Sequence, residues 1–125
     1  MRSVLSIGGL VLLMSVALSS AAQQTSNLSL NAQLLVAARQ GDLPTLGRLL
    51  DKGAAPNSRN RLGKTSLLIA AEKGQLAMVE RLLAAGADVQ QASLEGVTPL
   101  IGAAYFGQAE VARRLLAAGA RTEPV

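Results

Sequence analysis

Apolar residues recur at three- and four-residue spacing in Leu76, Val79, Leu82 and Leu83, and again 33 residues earlier in Leu43, Leu46, Leu49 and Leu50. That spacing puts them on one face of an amphipathic helix with the polar residues opposite. A shorter, more apolar segment precedes the first of these stripes, Thr65-Ser66-Leu67-Leu68-Ile69-Ala70-Ala71-Glu72-Lys73. Thr65 is placed to cap its amino end by accepting from an orphan helical N–H. Pro99 follows Thr98 at the matching place 33 residues on, in the first turn, where a missing N–H costs nothing. Glycines at 41, 74 and 107 stand between the short helix and the amphipathic one, at the sharp reversal that joins them. Gly53, Gly86 and Gly119 end the amphipathic helices.

The period of 33 is carried by identity as well as by pattern. Residues 60–92 laid on 93–125 agree at 14 of 33 positions without a gap, among them Gly63/Gly96, Thr65/Thr98 and Leu67/Leu100. A third copy starting at Asn27 leaves nine positions common to all three, including Leu34, Ala37, Ala38, Gly41, Leu49, Leu50 and Gly53. The expected frame is therefore three copies, 27–59, 60–92 and 93–125. Paired alanines at 37/38, 70/71 and 103/104 allow close helix approach, and the turn-rich stretches 56–63 and 90–96 read as projecting, hairpin-like fingers. One such unit buries too little to stand alone, so each leans on its neighbours. The expected fold is an all-α solenoid of three helix-turn-helix units.

The amino-terminal segment has a different pattern. Arg2 is followed by an apolar run from Val4 to Leu18 and by the small residues Ser19-Ser20-Ala21-Ala22, the layout of a secretory signal peptide with cleavage before Gln23. The run is 15 residues long and interrupted by Ser6, Gly8, Gly9 and Ser15, shorter than the roughly 20 residues that span a bilayer. The expected product is periplasmic or secreted, with 23–26 a short leader; a retained segment would instead make a membrane-anchored adaptor.

Composition narrows the chemistry. The 125-residue chain has no His and no Cys, which removes imidazole acid/base work, thiol nucleophiles, zinc fingers and disulfides. Only 2% is aromatic, the one Tyr beside the one Phe, too little to fill a sheet sandwich. Lys and Arg number 12 against 8 Asp and Glu; without Arg2 the balance is 11 against 8, an excess too mild to imply nucleic acid. Gly63-Lys64-Thr65 resembles the end of a phosphate-binding loop, but position 58 is Ser where that loop needs Gly. Asn27-Leu28-Ser29 has the form of a glycosylation sequon. The acids, Asp42, Asp51, Glu72, Glu80, Asp88, Glu95, Glu110 and Glu123, are scattered and read as solvated surface. The arginine ladder 48, 81, 114 reads as stems lying on the helices with their charges in water. No cofactor, metal or small-molecule substrate is expected, and no enzymatic activity.

Thr98-Pro99-Leu100-Ile101 and Val79-Glu80-Arg81-Leu82-Leu83-Ala84-Ala85-Gly86-Ala87-Asp88, within a unit of finger, helix, glycine turn and helix, resemble the ankyrin repeat. The departures are local. Leu68 and Ile101 replace the usual His, Asn60 and Ser93 replace the usual finger Asp, and Leu30 and Ala32 replace Gly and Thr in the first copy, as suits a capping unit. The resemblance implies a binding module for another protein, engaged through finger tips and the first-helix positions before the turn glycine. Here those are Arg39, Gln40, Glu72, Lys73, Tyr105 and Phe106 with Arg59, Arg61, Lys64, Leu94 and Val97. Phe106 has an alternative place, packed under the turn. The basic finger favours an acidic protein patch. Similarity to small exported bacterial ankyrin proteins implies a periplasmic scaffold or stabiliser, linked in some to oxidative stress, or an inhibitor or immunity protein for a partner enzyme. The last repeat leaves an apolar edge that is either exposed or covered by Glu123-Pro124-Val125.

Overall fold

The computed structural model describes residues 29–122. The proposed signal segment, the leader and the 123–125 tail lie outside the described residues. Among the described residues six helices form three antiparallel pairs: α1 (Leu30–Gln40) with α2 (Leu43–Asp51), α3 (Ser66–Lys73) with α4 (Leu76–Ala84), and α5 (Pro99–Tyr105) with α6 (Ala109–Ala117). Among the described residues there is no strand, only a single antiparallel bridge between Arg59 and Thr65. The second helices begin at 43, 76 and 109, in register with the 33-residue period. Thr65 and Thr98 cap α3 and α5, accepting from Leu68 N and Ile101 N at 3.2 Å each.

The first repeat departs from the others at its start. Ser29 caps α1, accepting from Ala32 N at 3.1 Å, so the helix runs through the positions that form a finger in later repeats. Leu30 and Ala32, where the later repeats have Gly and Thr, make that extension favourable. Asn31 ties it down by accepting from Ala55 N at 2.7 Å.

One core runs through all three pairs. Leu34, Leu46, Leu67, Val79, Leu82, Val111 and Leu115 are buried, with Ala37, Ala38, Ala70, Ala71 and Ala103 filling the close approaches. α3 and α5 pack closely at Gly102, where a Cβ would stand 2.8 Å from Leu68 Cδ1 and 2.9 Å from Glu72 Cγ. Only the missing side chain lets these helices meet. Ser66, at the first position of α3, is fully buried and its hydroxyl has no partner among the described residues.

Polar side chains stitch successive repeats together. Asn57 accepts from Asp88 N at 2.7 Å, and Gln90, one period on, donates to Gly119 O at 3.0 Å and accepts from Arg121 N at 3.3 Å. Gln108 donates to Glu72 O at 3.1 Å, crossing the turn glycine Gly74. The arginine ladder corrects the expectation of charges left in water. Arg81 donates to Asp51 at 2.7 Å and Arg114 to Glu80 at 2.5 Å, each reaching back one repeat, while Arg48 donates within its own helix to Thr45 Oγ1 at 3.0 Å.

Candidate protein-interaction surface

Each finger is a tight turn closed by its first residue. Asn60 Oδ1 accepts from Leu62 N and Lys64 N at 2.9 Å each, and Asn60 N donates to Lys64 O at 3.0 Å. Ser93 reproduces this with one hydroxyl: it accepts from Val97 N at 3.2 Å while its own N–H donates to Val97 O at 2.9 Å. The replacements for the usual finger Asp thus keep its acceptor role. Leu94 N donates to Leu62 O at 3.0 Å, holding the two tips side by side. The leucine side chains at those tips are 57% and 74% exposed for Leu62 and Leu94.

The charged residues singled out from the sequence divide into two groups. Arg59 donates to Ala92 O at 3.0 Å, bracing one finger against the next. Lys64 pairs with Glu72 at 3.0 Å, and both are half-buried, so this ion pair ties finger to helix. Lys73 donates to the carbonyl of Arg39 at the end of α1. These four spend their charge inside the array, and Glu72 is no solvated acid. Arg39, Gln40 and Arg61 are exposed, and Arg39 and Arg61 form no ion pair with a carboxylate among the described residues. Val97 is half-buried.

At the third repeat the same positions change character. Tyr105 stands where Glu72 does one period earlier, and Phe106 where Lys73 does. Glu72 is reached by Lys64 of its finger, and one period on the corresponding positions are Tyr105 and Val97. Tyr105 is 82% exposed and Phe106 54%, their rings meeting edge to face at 5.1 Å and 82°. Phe106 therefore does not pack under the turn. The pair carries the large, stiff apolar surface that dominates interface hot spots.

Leu62 went unnoticed in the sequence, although an apolar residue between Arg61 and Gly63 has no helical period to give it a core position. Among the described residues there is no cluster of acids able to hold a metal, and no helix is long and apolar enough to cross a membrane. The exposed residues of this set are the finger residues Leu62 and Leu94, the rings of Tyr105 and Phe106, and Arg39, Gln40, Arg59, Arg61 and Lys73.

A search of curated proteins found no match to the chain. A family model described as ankyrin repeats (3 copies) matches residues 34–124. With three in-register helix pairs and that match over most of its length, the chain belongs to the ankyrin repeat family, whose repeats mediate protein–protein interaction and are typically non-catalytic.

Proposed function

We propose that the protein is exported and acts without chemistry of its own, binding a partner protein in the periplasm or outside the cell through the two finger tips and the aromatic pair. The observation that carries this is the contrast between neighbouring positions. Lys64, Glu72, Lys73 and Arg59 are internally satisfied, whereas Leu62, Leu94, Tyr105 and Phe106 hold apolar surface in water. Large apolar groups exposed at the finger tips and at the end of α5 mark candidate contact sites. Exposed Arg61 and Arg39 favour a partner whose apolar patch is rimmed by acids. The layout of residues 1–22 supports export, with cleavage before Gln23.

The test is capture of partners from the exported fraction, alongside a Leu62→Asp/Leu94→Asp variant and a Tyr105→Ala/Phe106→Ala variant that keep the parent circular dichroism spectrum. The intact mass of the recovered protein is read in the same experiment and is expected to begin at Gln23. Loss of the captured partner in both variants is expected. Equal recovery by parent and variants would remove these side chains from the site. A protein retaining residues 1–22 would favour the anchored form.

A further inference from the structure

The two seams inside the array show what covers the carboxyl-side face of a repeat, and the third repeat repeats that face with one sign reversed. In the second repeat this face contains Leu68 and Ala71, both fully buried under the third, and Glu80, which receives Arg114 at 2.5 Å. In the first, Asp51 receives Arg81 at 2.7 Å. The acceptor positions are neighbours one helical turn apart: Gly47 and Asp51 on α2, then Glu80 and Ala84 on α4. Each internal edge thus offers one carboxylate to an arriving arginine. One period on, α6 offers Arg113 and Ala117. Arg113 is exposed and has no ion-pair partner among the described residues. Around it Ile101 is 39% exposed where Leu68 is sealed, and Ala104 and Leu116 are exposed as well.

A second copy stacked head to tail would fill the apolar part but bring Arg48, the ladder's first arginine, onto Arg113. Like charges at that contact oppose an open-ended filament. We propose that the carboxyl-side face of the third repeat is a second docking surface, separate from the fingers, for an acidic amphipathic helix of another protein that stacks as a fourth repeat would and sets a carboxylate against Arg113.

Two synthetic peptides of about 18 residues, long enough for helix formation with the same leucine stripe, serve as probes: one with a glutamate face, the other with a lysine face. Each is titrated into isotopically labelled protein and followed by NMR. The glutamate peptide is expected to shift Ile101, Ala104, Arg113 and Leu116 and to bind about two- to fivefold tighter than the lysine peptide, the scale of an exposed ion pair. Arg113→Glu, on an exposed side chain and checked by its unchanged melt, is expected to reverse the preference; Leu94→Asp is expected to leave it intact. Equal binding of the two peptides, shifts confined to the fingers, or a dimer in sedimentation that buries this face without peptide would overturn the proposal. So would markedly tighter peptide binding by a chain ending at Thr122, because residues 123–125 would then be the occupant.

Discussion

The first and third repeats end the array in opposite ways. At the amino end, the side chains that later repeats use to reach backwards are turned inwards: Asp42 caps its own helix by accepting from Thr45 N at 3.2 Å, and Arg48 bonds Thr45. Their counterparts Gln75 and Gln108 make no cap; Gln108 crosses to Glu72 O and Gln75 lies against Gly41. At the carboxyl end, among the described residues, no atom lies near where a Gly107 Cβ would be, and Ile101, Leu116 and Arg113 are exposed. The seams run both ways: Arg81, Arg114 and Gln108 reach back to the repeat before, and Asn57, Arg59 and Gln90 reach forward to the one after; only the backward set is turned inwards at the amino end.

The largest predicted effect compares two glycines of the same turn. Gly74 and Gly107 have φ of 70° and 71°, so an alanine at either is strained by about 1–2 kcal/mol. At Gly74 the new Cβ would also meet the Gln108 amide, displacing it and breaking its bond to Glu72 O. That adds about 0.5–1.5 kcal/mol for the lost hydrogen bond. Urea unfolding should place Gly74→Ala clearly below Gly107→Ala, each with one cooperative transition. Matching midpoints would mean that the glutamine seam contributes nothing.

This asymmetry was only partly legible in the sequence. The helix pairs, their caps and their register follow from Leu76, Val79, Leu82 and Leu83, from Thr65 and Thr98 and from the glycines, because local periodicity and backbone preference act within one turn. The destination of Arg81, Arg114 and Lys64 was not legible, since a charge on a helix face looks solvated until the neighbouring repeat is in place. Periodicity contained a clue: an arginine kept at 48, 81 and 114, with Asp51 and Glu80 each lying 30 or 34 residues behind its partner. Of the candidate surface, the aromatic pair stands out by rarity, whereas Leu62 needed the finger's geometry to show that it points outwards.

A gain of stability is expected where the second repeat lacks what the third has. Ser66 and Pro99 occupy the same first helical position, after threonines of nearly equal backbone angle, φ −88° and ψ 166° against φ −82° and ψ 164°. That extended conformation suits a following proline. Ser66→Pro removes a buried, unpartnered hydroxyl and restricts the unfolded chain, together about 1 kcal/mol. For a domain of this size the melting temperature should rise by about 4–8 °C. A lower melting temperature would show that the Ser66 N–H or hydroxyl has a partner in solution.

The smallest effect concerns the self-sealed amino end and appears only in acid. The Asp42 carboxyl is held below its ordinary value of 3.8, first by the Thr45 hydroxyl, then by the Thr45 N–H and the Arg48 charge, all of which favour its ionised form. A depressed folded-state value contributes stability that is complete above 3.8 and is lost as pH falls through the lower folded value. Asn at position 42 keeps a cap that does not titrate. As pH falls below 3.8, protection of the Thr45 amide from hydrogen exchange should fall in the parent and hold in Asp42→Asn. The matching amide of the second repeat, Met78, has no acid behind it and should show no such difference between the two proteins. If Thr45 and Met78 respond alike, the amino end is not sealed by its own aspartate.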